Sequence, residues 1–172
     1  NYIAHLSMEL EYYNNNPLQY ISATQFGSIG INNAIVPHKF TISINQRIQN
    51  TSLFFDLLRV FVGYTDPTRY LRQVMEKANS YTEAKKMLES GKISSAAYYI
   101  VTGVKQDEGA IITRDYNRPV KIETLESDYL LEQNWFLVQT NYDRWLDDPS
   151  NDHRRKPVEE RMKELGMNLS YQ

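Results

Sequence analysis

The chain has 172 residues, 41% of them apolar and 23% charged, with a formal net charge of −2. That size and balance suit one globular domain and argue against a broad basic field for nucleic acid. No cysteine is present, so disulfides and thiolate metal sites are excluded within these residues. No apolar run approaches the roughly 20 residues that span a bilayer.

In chain order, residues 4–12 alternate apolar and polar through Ala4, Leu6, Met8, Leu10 and Tyr12, which predicts a strand. Asn14-Asn15-Asn16-Pro17 breaks it as a turn. A second strand is expected over residues 18–24. Gly27 and Gly30 bracket another turn, and residues 29–36 read as a third strand ended by Pro37 and His38. Residues 39–45 alternate again through Phe40, Ile42 and Ile44, giving an antiparallel meander.

The middle reads as three short helices between residues 52 and 90. Leu53, Phe54, Leu57, Leu58, Val60 and Phe61 fall at helical spacing, and the default reading of that apolar helix is core packing. Asp66 and Pro67 form an N-cap and first-turn proline. Ser80 and Glu83 form a capping box whose helix closes near Gly91. Strands return at residues 96–102, 109–113 and 120–123. Trp135-Phe136-Leu137-Val138 reads as a buried strand over residues 135–140, and residues 157–165 suit a last helix. Strands, helices, strands, helix is an α+β order. The 13 tyrosines fall largely in strand-like runs, where packing accounts for them. Residues 1–20 lack the basic and apolar segments of a signal peptide. Asn50-Thr51-Ser52 and Asn168-Leu169-Ser170 fit the N-glycosylation sequon.

The most informative stretch is Gln139-Thr140-Asn141-Tyr142-Asp143-Arg144-Trp145, followed by Arg154-Arg155. An asparagine amide can donate to the oxyanion of acyl transfer, and Arg154 or Arg155 can stabilise negative charge or hold a carboxylate. On spacing alone a hydrogen-bonded loop with a core Trp145 and solvated arginines is the simpler reading. The run His153-Arg154-Arg155-Lys156 reads as solvated, with one inward arginine. His5, His38 and His153 lack metal-ligand spacing and read as surface or partly packed residues. Gly27-Ser28-Ile29-Gly30 lacks the helix and lysine of a phosphate loop, and no nucleophile elbow is present.

Several segments resemble, in order, the acid ceramidase and N-acylethanolamine acid amidase family. They are Phe26-Gly27-Ser28-Ile29-Gly30, Phe40-Thr41-Ile42-Ser43-Ile44-Asn45-Gln46-Arg47, and Ala97-Tyr98-Tyr99-Ile100. Glu108-Gly109-Ala110-Ile111-Ile112-Thr113-Arg114-Asp115 and the Gln139–Trp145 and Arg154-Arg155 stretches complete the set. The resemblance implies a cysteine N-terminal-nucleophile hydrolase with a four-layer αββα sandwich of antiparallel sheets, incomplete at the N-terminus. Residues 1–172 are then one domain, most of a β subunit without its first strands and without the nucleophilic cysteine. By motif match Asn141 takes the place of the oxyanion-hole asparagine and Arg154 that of the active-site arginine. Gln46, Asn45 and Tyr142 are assigned to substrate contact. Gln46 stands where the family's Asn-Glu-Arg motif has its glutamate, and an amide cannot take up a proton as a carboxylate can.

The activity so implied is hydrolysis of a lipid amide, ceramide or an N-acylethanolamine, to fatty acid and amine. No metal or cofactor is expected, an α subunit from the same precursor is a candidate partner, and a lysosomal or secreted location is implied. The alternative is a catalytically inactive homologue that binds lipid or a partner.

Overall fold

The computed structural model describes residues 6–15, 17–49, 53–125 and 135–166. Seven strands form one antiparallel sheet: β1 (Ser7–Tyr13), β2 (Leu18–Gln25), β3 (Asn33–Val36), β4 (Phe40–Gln46), β5 (Ala97–Gly103), β6 (Gly109–Arg114) and β7 (Pro119–Thr124). Their spatial order is their chain order. Helices α1 (Leu53–Phe61), α2 (Pro67–Lys77) and α3 (Tyr81–Ser90) come between β4 and β5, and α4 (Arg155–Leu165) follows the sheet. The α+β class is as expected.

Alternation along the strands decides which face the helices cover. In β4, Phe40 and Ile42 are buried while Thr41 is exposed. The buried set joins Tyr20, Tyr99, Val101 and Ile112 under Leu71, Val74 and Met75 of α2 and Ala84 and Leu88 of α3. Helix α2 lies against β2, β3 and β4, and α3 against β5 and β6. Each large side chain so buried contributes about 1.5–3 kcal/mol.

Both predicted caps are present. Asp66 Oδ1 accepts from the Thr68 and Arg69 amides at 2.9 and 3.2 Å, with Pro67 opening the helix. Ser80 Oγ accepts from the Glu83 amide at 3.2 Å, and Glu83 reaches back to the Asn79 amide at 2.9 Å. Asp66→Ala is expected to lower stability by about 0.5–2 kcal/mol. The check is a denaturant titration, where the midpoint falls at constant slope; an unmoved midpoint would show that α2 is held without its cap.

Arg114 at the end of β6 is 0% exposed. Its guanidinium donates to the Leu88 and Gly91 carbonyls, at and just beyond the end of α3. Those are carbonyls the helix cannot satisfy itself. Burial pulls the Arg114 pKa down from the usual guanidinium range, against the opposing effect of Tyr99.

Three expectations are corrected. The third strand begins at Asn33, not 29, because the Ile31 amide turns away to the Thr68 carbonyl at 3.3 Å. There Gly30 runs so close to α2 that a Cβ would fall 1.8 Å from Thr68 Oγ1. Residues 135–140 form no strand. Their apolar run is half-buried, and the Val138, Gln139 and Thr140 carbonyls are taken by side chains, from Arg144 and Asn45, rather than by a ladder. Helix α1 is not core: Phe54, Phe55, Leu57, Leu58, Val60 and Phe61 are all exposed, Phe61 to 87%. Its apolar residues cover all of the axis but the side that carries Asp56 and Arg59. The helix is tethered through Arg59, which pairs with Asp56 at 2.7 Å and stacks 3.3 Å over the Tyr116 ring. The first residues of the predicted opening strand, His5 and both sequons lie outside the described residues. His38 and His153 are exposed, as expected.

Candidate functional site

The candidate site forms where β4 ends beside the start of β5. Alternation sends Asn45 and Arg47 to the face away from α2 and α3, and Gln46 to the helix side. Across the sheet Asn45 pairs with Tyr98, and Tyr98 with Thr113, so these three make one row on the far face. The segment 135–146 lies over that row. Asn45 Nδ2 donates to the Gln139 and Thr140 carbonyls, both at 3.2 Å. Tyr98, itself buried, donates to Asp143 Oδ1 at 2.7 Å. Arg47 grips Asp143 bidentately at 2.7 and 2.8 Å and pairs with Asp115 at 2.6 Å.

Asn141 and Arg154, thirteen residues apart, are brought together. Arg154 Nη2 donates to Asn141 Oδ1 at 2.9 Å while pairing with Asp152. A guanidinium only donates, so the amide atom facing it is the oxygen and its nitrogen is turned the other way. That nitrogen donates to the Gln46 carbonyl at 3.0 Å. An amide NH2 has two N–H bonds, and among the described residues the second is unused. The Arg154 side chain is 62% exposed.

Arg155 is the inward arginine, 7% exposed. It donates to the Arg144 and Leu146 carbonyls at 3.1 and 2.7 Å and to Asp148 at 2.9 Å, and stacks 4.7 Å over the Tyr142 ring. Tyr142 is thus packed within the loop, and Asn45 is committed to backbone carbonyls. Trp145 is not core: it is 43% exposed, with Lys121 Nζ 5.3 Å from its ring.

Two cavities meet at Gln46. One, about 260 Å³, lies on the helix side among Ile44, Asp66, Pro67, Thr68 and Ala97. The other, about 210 Å³, runs past Arg47, Ile48 and Gln49 to Asp56 of α1. Both are lined by Gln46, Ser95 and Ala96.

Burial pushes the Asp143 carboxyl up, but hydrogen bonds from Arg47 and Tyr98 outweigh it and hold the group below its usual range. A carboxyl whose folded pKa lies under its unfolded value of about 3.9 contributes stability that is fully present above that pH. The contribution fades only as the pH falls through the lower folded value. The clasp therefore persists through mildly acidic conditions. Tyr98 is pushed up by burial and by Asp143, so it stays a hydroxyl donor.

Sequence reasoning missed the roles of Arg47, Tyr98, Asp115 and Asp143. All four sit in recognised segments. The alternation rule applied at Asn45 also puts Arg47 on the far face, a signal that could have found it. Among the described residues no cluster of three or more histidines or carboxylates could hold a metal ion, and no helix is long and apolar enough to cross a membrane.

No family model matches the sequence. Acid ceramidase of Balaenoptera acutorostrata scammoni is 32% identical over 156 residues, covering 89% of this chain and 39% of that protein. The Homo sapiens acid ceramidase is 31% identical with the same coverage. N-acylethanolamine-hydrolyzing acid amidase of Oryctolagus cuniculus is 31% identical over 153 residues, 89% of this chain and 42% of that protein. The solved Caenorhabditis elegans ortholog of the latter superposes with a TM-score of 0.81 at 26% identity, covering 96% of this chain and 69% of that one. The chain belongs to the acid ceramidase and N-acylethanolamine acid amidase family. It spans about two-fifths of the length of the curated relatives it matches.

Proposed function

We propose that this chain is most of the β subunit of an N-terminal-nucleophile hydrolase that cuts the amide bond of an N-acylated lipid, ceramide or N-acylethanolamine. The carrying observation is the Asn141 amide, held at both ends and, among the described residues, with one N–H left for an oxyanion. A cysteine thiolate upstream of Asn1 would add to the amide carbon, and the oxygen gathering charge would rest on Asn141 Nδ2. Arg154 orients that amide and adds positive charge. The thiol proton, taken up by that cysteine's own α-amino group, would pass to the departing amine, and water would then hydrolyse the thioester, releasing the fatty acid and restoring the thiol.

Two surfaces support the lipid and fold readings. Exposed α1 borders the cavity at Gln46 through Asp56, which suits an acyl-chain substrate. The far face of β2–β5 carries a hollow of about 350 Å³ lined by Ile21, Ile35, Thr41, Ser43 and Ile100, with Ile35 exposed. A second sheet laid there would complete the four-layer sandwich, with the whole chain forming a single domain of it. A lysosomal location accords with a clasp that persists in acid.

The test is the N-terminal sequence of the mature native protein, followed by assays on ceramide and N-acylethanolamines. A mature protein beginning with cysteine that releases fatty acid supports the reading; one without an N-terminal cysteine overturns it in favour of a lipid-binding homologue. Gln46 is the observation that favours that alternative. In the native enzyme Gln46→Glu is expected to raise turnover by less than about tenfold, on the reading that the amide already supplies any hydrogen bond the carboxylate would make. A gain of about 10²–10⁴ would instead mark a lost proton-transfer role.

A further inference from the structure

Asn141 sits on a segment with no ladder of its own, so something else must fix its position to within a fraction of an ångström. The β4 end supplies the means. Arg47, with a side chain 10% exposed, holds Asp143 two residues beyond Asn141 with both fork nitrogens, and turns its third donor on Asp115. Tyr98 adds its hydroxyl to the same carboxylate. Gln49 Nε2 bonds Asp115 at 2.8 Å and its Oε1 accepts from Tyr116, under the stacked Arg59. The other charges beside Asp143 are committed elsewhere: Arg144 to Glu123, and Arg155 chiefly to carbonyls and Asp148.

We propose that Arg47 is a positioning residue for Asn141: its bidentate clasp on Asp143, braced by Asp115 and Tyr98, sets where the Asn141 amide lies against the Gln46 carbonyl. This rests on Asn141 being the oxyanion donor of the proposed function. It assigns Arg47 no contact with substrate. Planarity matters, since lysine keeps the charge but offers no fork.

The test needs no turnover. The protein is labelled with ¹⁵N-asparagine, and the Asn141 side-chain NH2 pair is assigned by its loss in Asn141→Asp. Arg47→Lys is expected to shift that pair and to speed its hydrogen exchange about tenfold or more, while the Asn33 pair, on β3, stays in place. Superposable Asn141 resonances in folded Arg47→Lys would overturn the proposal. Should Arg47→Lys fail to fold, Tyr98→Phe decides. It deletes one hydroxyl and is expected to shift the same pair less far, and an unmoved pair there would equally overturn the proposal. A protein with these shifts but no amidase activity would sink the functional reading alone. In an active enzyme Arg47→Lys lowers kcat at nearly constant KM.

Discussion

Asn141→Ala, made in the native enzyme with its upstream cysteine, is expected to lower kcat about 10²–10³-fold with little change in KM. Stability should hardly move. The bonds lost run to Arg154, largely solvated, and to one carbonyl at a strand end. Both bonds are exposed to water, so together they contribute no more than about 1 kcal/mol, the low end for hydrogen bonds. The two readouts therefore separate: an oxyanion donor costs rate, whereas a loop anchor would cost melting temperature. Near-normal turnover in the mutant would remove Asn141 from the chemistry. A matching loss of rate and of folded protein would make it an anchor.

Arg114→Met is expected to produce the largest loss of stability, about 2–4 kcal/mol. Burying a guanidinium is costly, and methionine relieves that cost while filling much of the space. Against this, the Leu88 and Gly91 carbonyls lose their donors. A buried unsatisfied acceptor costs about 1–3 kcal/mol, and the carbonyls lie at the negative end of α3, where a cation is favoured. Two such acceptors outweigh the relief, and apolar replacement succeeds only where both partners change together. Urea titration would read the change. The loss should be constant between pH 5 and 9, because an arginine stays charged throughout that range. An unchanged midpoint would show that water satisfies the two carbonyls.

Much of the fold was legible because period and punctuation agreed. Strands β4, β5 and β6, the Asp66 and Ser80 caps and the stop at Gly91 all follow from short-range chemistry. Two failures share a cause. Trp135-Phe136-Leu137-Val138 and α1 are apolar runs, and an apolar run records an affinity for cover without saying what provides it. The first is half-buried and held at its end, where Arg144 bonds the Val138 carbonyl and Asn45 the two carbonyls that follow; the second stays in the open. The site was legible in part. Asn141 and Arg154 were named from the motif and do touch, but Arg47 to Asp143 and Tyr98 to Asp143 are long-range pairs that no local pattern encodes.

The sheet order has a kinetic meaning. Every neighbouring pair of strands is joined by a short connection except β4 and β5, which are separated by residues 47–96 and three helices. The molecule thus has two locally closed halves, β1–β4 with α2 and β5–β7 with α3, and one non-local joint between them. Such a joint depends on closing a long loop, an entropic demand the hairpins do not face. The site lies across it: Asn45 and Arg47 on one side, Tyr98 and Asp115 on the other. A species with both halves formed and the joint open would hold most of the ladders of the native sheet but none of the bonds that Asn45, Gln46 and Arg47 make across to the site.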